Sequence, residues 1–199
     1  MIPVAPQPEP STFDKEVRRK GVRYLRAKGI SLNQPLPAGT KLPPYWRDCM
    51  DDLHTSYNGL CGYLCVFIER VTGGTSVDHF VAKSKFAGLA YEWSNYRLAC
   101  STMNSRKRDY ENVLDPFAVK EGWFHLELVS GRIFPNPLLS KAEKKTVEDT
   151  IERLGLDDPP CREMRARHFS YYVNRELSGD YLRGHSPFVW YEANRQGLL

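Results

Sequence analysis

The feature that most restricts the fold of this 199-residue chain lies between residues 61 and 108. Two runs rich in β-branched and aromatic residues, LCVFIERV at 64–71 and TSVDHFV at 75–81, flank a Gly73-Gly74 pair. Such residues fit a pleated, half-buried surface, and glycine supplies the positive φ of a tight hairpin turn. From residue 95 to 108 the apolar positions Tyr96, Leu98, Ala99 and Met103 change to a helical pattern. The expectation is therefore a hairpin over 64–81, a polar loop, and a helix over 95–108.

Around this unit the pattern predicts helices over 12–28, 45–57, 139–155, 160–177 and 187–196. A second hairpin is expected from GWFHLELV and GRIF around Ser130-Gly131. Prolines crowd residues 1–11 and 29–44, which read as an extended tail and a linker because proline fixes φ and lacks an amide donor. With 41% hydrophobic residues the chain has enough apolar surface for one core. No run approaches the roughly 18 apolar residues of a membrane span, and the first residues lack the basic and apolar regions of a secretory signal. A cytoplasmic, non-membrane protein is the expectation.

The unit carries a distinctive polar set. Asp78-His79 closes the second run, Asn95 opens the helical stretch, and Asn104 follows nine residues later, with Arg106, Lys107 and Arg108 behind it. Cleaving a phosphodiester requires a base for water, a cation at the phosphate, and hard oxygen ligands for that cation. Histidine titrates near neutrality, and the side-chain oxygens of Asp78 and Asn104 are the donor type that Mg²⁺ or Mn²⁺ takes. At a strand's end, where the backbone leaves the pleat, adjacent Asp78 and His79 can serve one site. Arg108 lies one helical turn beyond Asn104.

In three stretches the sequence resembles the HNH endonuclease family: Asp78-His79-Phe-Val-Ala-Lys-Ser, Trp93-Ser-Asn95-Tyr-Arg-Leu-Ala-Cys100 and Asn104-Ser-Arg-Lys107. It is most similar to HNH nucleases of bacterial anti-phage systems of the retron and Septu type. The resemblance implies an α+β fold in which a ββα-metal core is embedded in a mostly helical single domain with a second hairpin. The expected division is a tail, basic helix and linker over 1–44, the nuclease core over 45–118, and a hairpin with helical extension over 119–199. His79 would be the general base, Asp78 and Asn104 the metal ligands, and Asn95 the residue that holds the loop and orients the imidazole. Arg106 and Lys107 would contact phosphate. The implied reaction is metal-dependent hydrolysis of DNA as a defence effector, leaving 5′-phosphate and 3′-hydroxyl ends. A regulatory partner such as a defence ATPase is expected. The alternatives are an RNase using the same site, and a non-catalytic nucleic-acid-binding or adaptor protein on the same scaffold.

Charge adds a second nucleic-acid signal. The net charge is only +4, yet residues 14–28 hold seven basic side chains against Asp14 and Glu16, which makes Arg18, Arg19 and Arg23 candidate phosphate contacts. The cysteines fit the family less well. Many HNH domains carry zinc on two Cys-x-x-Cys pairs, whereas here Cys61 and Cys65 are one residue too far apart and Cys100 is followed by Met103 in place of the fourth thiolate. Three cysteines completed by water, His54 or His125 is one reading. Buried apolar thiols without Zn²⁺ is the preferred one. Cys49 and Cys161 have no assigned role.

Overall fold

The computed structural model describes residues 1–72 and 74–199. Helices and two small antiparallel sheets build two compact units. One comprises residues 1–5, 60–68 and 112–199, the other residues 6–59 and 69–111. Among the described residues no helix is long and apolar enough to cross a membrane.

In the second unit a π-helical turn, Asp14–Arg18, leads into α1, Arg19–Ala27. Phe13, Val17 and Leu25 form its fully buried stripe, and Phe13 meets the rings of Trp93 and Tyr96 edge-on at 5.5 and 5.7 Å. A 3₁₀ turn, Tyr45–Cys49, precedes α2, Met50–Ser56. Strand β1, Thr75–His79, then pairs with β2, Tyr96–Cys100, in the register Asp78↔Arg97 and His79↔Tyr96. Helix α3, Ser101–Lys107, follows directly and packs on both strands. Gly21 sits where a Cβ would lie 2.1 Å from the Tyr91 ring, so only glycine lets α1 approach residues 87–91 this closely.

The pairing differs from the expected hairpin. Residues 64–71 form no strand. They contain Cys65 at φ +53°, and only an isolated bridge joins Leu60 to Phe67. Their apolar side chains serve the first unit instead, where Cys65 and Ile68 are buried and the Phe67 amide donates to the His185 carbonyl. The expected turn at Gly73-Gly74 falls on residue 73, outside the described residues. The strand partner comes from the first half of the expected 95–108 helix. Tyr96, Leu98 and Ala99 are all buried, and the helix is confined to seven residues.

The expected linker 29–44 is docked rather than loose. The Leu36 amide donates to Ser84 O at 3.1 Å, Ala87 to Gln34 O at 3.0 Å and Gly88 to Leu32 O at 2.9 Å, forming a strap beside the loop that follows β1. The N-terminal residues are also held, since the Trp93 indole donates to Gln7 O at 2.8 Å and the Val4 amide to Pro116 O at 3.0 Å.

The first unit contains β3, Phe124–Glu127, paired with β4, Arg132–Pro135, and four helices: α4, Lys141–Leu154; α5, Pro159–Val173; α6, Gly179–His185; and α7, Pro187–Arg195. Ser140 and Glu143 form a capping box that starts α4, satisfying two amides the helix leaves open. At the β3–β4 turn Gly131 has φ +70°, and a Cβ there would meet the Arg162 carbonyl oxygen at 2.0 Å. Helix α6 was not expected from the sequence. Its GDYLRGH run carries too few apolar positions to show a period, and its Ser178 cap, accepting from the Tyr181 amide, does the starting.

Candidate active site

A cleft of about 770 Å³ in the second unit brings together four of the residues singled out by the sequence, Asp78, His79, Asn104 and Arg108. Asp78 and His79 reach it from the end of β1 and Asn104 from α3, while strap residues 36–42, Trp46 and Lys83 supply other walls. Adjacent strand residues ordinarily face opposite ways. Both border this cleft because His79 is the last residue of β1.

The His79 ring is fixed on several sides. It packs edge-on against Trp46 at 4.9 Å and Tyr96 at 5.0 Å, and its Nε2 lies 2.9 Å from the Ala90 carbonyl oxygen. A carbonyl can only accept, so Nε2 carries the proton and Nδ1 keeps its lone pair. Nδ1 makes no hydrogen bond among the described residues. Burial, reinforced by the charges of Lys83 and Lys107, pushes the imidazole pKa down to about 3, against the pull of the Ala90 carbonyl. The ring is therefore neutral at ordinary pH, the protonation state a base requires. The Tyr96 hydroxyl donates to the same Ala90 carbonyl at 2.8 Å, and burial holds that phenol far above its usual pKa.

Asn95 is buried and supports this arrangement from behind. Its Oδ1 accepts from the Val81 amide at 2.8 Å, and its Nδ2 donates to the carbonyls of Val81 and Leu89, both at 3.0 Å. The amide thus ties the start of the 81–89 loop to its end, one residue before the carbonyl that orients His79. Asn95 makes no hydrogen bond to the imidazole among the described residues, so its effect on the ring passes through this loop.

Asp78 is 1% exposed, and its Oδ1 lies 3.4 Å from the Lys107 ammonium. Lys107 differs from its expected role as a phosphate contact. Its side chain is completely buried, and its Nζ also donates to the carbonyls of His79 at 3.2 Å and Phe80 at 2.9 Å. The physical reason is placement on the inner face of α3, where the lysine spans to the end of β1. Asn104, on the cleft side of the same helix, donates from Nδ2 to Val77 O at 3.3 Å, which points its oxygen elsewhere. Arg108 lies just past the helix at φ +52° and borders the cleft, whereas Arg106 is half-buried outside the cleft lining.

The basic helix is largely neutralised within the fold. Arg18 pairs with Glu9, Asp14 and Glu92, and Arg19, whose side chain stays 71% exposed, pairs with Asp14. Arg23 is exposed and makes no ion pair among the described residues. Two cleft residues that bear on His79 carry no motif signal of their own. Trp46 packs on His79, and Lys83 sits in the loop four residues past it, its Nζ 4.3 Å from the Trp46 ring centroid. Burial lowers the Lys83 pKa, opposed by Asp78. Its only sequence signal was its place in the Asp78-to-Ser84 stretch.

The donor chemistry of the cleft fits a divalent hard cation. One carboxylate and one amide oxygen source, with room for water and phosphate, is the sparse protein contribution that Mg²⁺ typically accepts. The thiols are distributed otherwise: Cys61 and Cys65 are buried in the first unit, and Cys100 is half-buried in the second. Among the described residues no three His, Cys, Asp or Glu side chains converge on a metal-sized site.

No family model matches the chain. It is 26% identical over 172 residues to a protein of Vibrio cholerae serotype O1 biovar El Tor named "Retron Vc95 putative HNH endonuclease", a match spanning 80% of this chain and 78% of that protein.

Proposed function

We propose that this chain is a metal-dependent endonuclease of the HNH type, with β1, β2 and α3 as its ββα-metal core, hydrolysing DNA as an effector of prokaryotic anti-phage defence. The observation that carries the reading is the 2.9 Å contact between His79 Nε2 and the Ala90 carbonyl. The carbonyl accepts a hydrogen bond from Nε2–H, which leaves the Nδ1 lone pair to an imidazole that lines a cleft with Asp78 and Asn104. The similarity to a retron protein named for HNH activity supports the same chemistry and the defence setting.

In this mechanism Nδ1 of His79 takes a proton from water as the water oxygen attacks phosphorus and the bond to the 3′ oxygen breaks. The departing 3′ oxygen takes a proton from solvent, so the products carry a 5′-phosphate and a 3′-hydroxyl. Asp78 and Asn104 would hold a Mg²⁺ or Mn²⁺ ion, which supplies positive charge for the crowded phosphate and the departing oxygen. Trp46, Tyr96 and Ala90 keep the imidazole aimed. The negative charge of bound substrate favours the imidazolium and so strengthens a base that burial has weakened. A regulatory protein partner would restrain a nuclease that otherwise threatens its host's genome.

Plasmid nicking with Mg²⁺ or Mn²⁺ tests the reading, with RNA of matched length as a second substrate. Wild type is expected to nick DNA and His79→Ala to lose the activity. Equal cleavage by the two proteins would remove His79 from the mechanism, and faster cleavage of RNA would reassign the polymer.

A further inference from the structure

The phosphate must meet a cation in the cleft, and the lysine expected to supply it is occupied. Lys107 is fully enclosed and engaged by Asp78 and two backbone carbonyls, so turning toward a substrate would break a buried ion pair and two hydrogen bonds. Lys83 is in the opposite situation. It borders the same cleft as Asp78, His79 and Asn104, and no carboxylate lies within ion-pair distance of it among the described residues. Its ammonium rests on the Trp46 ring at 4.3 Å, and that same indole packs against the His79 imidazole. One aromatic ring thus holds both the base and a cation, restricting the lysine's rotamers without neutralising its charge.

We propose that Lys83, braced on Trp46, is the catalytic cation that contacts the phosphate being cleaved. The inference rests on the nuclease reading above and deepens it. The ammonium would donate to a non-bridging phosphate oxygen, a charge-assisted hydrogen bond that strengthens as negative charge builds during attack. Lys41, on the strap, and Arg108 border the cleft as well, but Lys83 is the one whose charge acts on both His79 and Asp78.

The test uses Lys83→Met, which keeps an unbranched chain against the indole but removes the charge, and Lys83→Arg, which restores it. Single-turnover nicking by Lys83→Met is expected to slow by about 10- to 100-fold, with Lys83→Arg recovering most of the rate. A second readout needs no cleavage. With EDTA and a His79→Ala background, the salt dependence of duplex binding, followed by fluorescence anisotropy, should lose about one phosphate's worth of slope in Lys83→Met and none in Lys83→Arg. A Lys83→Met protein with wild-type rate and slope overturns the proposal, as does a Lys83→Arg protein that melts normally yet recovers neither. If Lys83→Met cleaves normally while His79→Ala is dead, only the lysine's role fails. If His79→Ala cleaves normally, the nuclease site itself fails.

Discussion

Removing Lys107 separates two roles that the sequence could not tell apart. In Lys107→Met the Asp78 carboxylate, 2% exposed, loses the cation 3.4 Å away, and the carbonyls of His79 and Phe80 lose a donor. At that separation the Coulomb attraction is about 5 kcal/mol with an effective dielectric of about 20. Truncating one partner of a buried pair typically costs about 3–5 kcal/mol, because the other charge is left uncompensated. Lys107→Met should therefore lose about 3–5 kcal/mol in equilibrium urea unfolding, measured in EDTA so that no cation substitutes at Asp78. Adding Asp78→Asn removes the stranded charge, so the double variant should be more stable than the sum of the single losses predicts by at least about 1 kcal/mol. A surface phosphate contact behaves differently: stability stays within about 0.5 kcal/mol of wild type and only nucleic-acid affinity falls. A Lys107→Met protein with unchanged unfolding midpoint, or singles that are strictly additive, would refute the structural role.

His79 also makes stability depend on pH. Its folded pKa of about 3 lies below the ordinary imidazole value of about 6.5, so between these values the unfolded state binds more protons and stability falls as pH falls. The contribution is complete above about pH 6.5, and by pH 5 it should be reduced by about 2 kcal/mol. Comparing the pH 7 and pH 5 unfolding free energies of wild type with those of His79→Ala isolates it; parallel pH profiles would contradict the buried, neutral ring. Asn95→Ala removes three part-buried hydrogen bonds that close the 81–89 loop, at about 0.5–1.5 kcal/mol each. Faster hydrogen exchange at the Val81 amide, with a lowered melting temperature, is the expected result, and unchanged protection there would argue against the clamp.

How much was legible in the sequence depends on how local each signal is. The second hairpin was readable because Gly131 and its flanking apolar runs are contiguous, and α4 because Ser140, Glu143 and Gly155 mark its ends. The first hairpin misled because 64–71 and 75–81 both have strand composition. Pairing depends on which surface each run buries, and residues 60–68 bury theirs in the other unit. The strap was read as a linker because backbone bonds such as Leu36 to Ser84 leave no trace in composition.

Residue types and their order show which chemical groups are present: an imidazole beside a carboxylate, with two asparagines further along the chain. Residue type and order carry that information because the chemistry is intrinsic to the side chains. The fold sets how those groups are placed. It pairs Nε2 of His79 with the Ala90 carbonyl, so that Nδ1 keeps its lone pair, and it turns Lys107 inward to Asp78. It also sets Arg18 and Arg19 beside nearby carboxylates and rests Lys83 on Trp46, with no ion pair to a carboxylate among the described residues. The physical reason is that a lysine's charge is set by its chemistry, whereas its partner is set by which face of the fold it occupies.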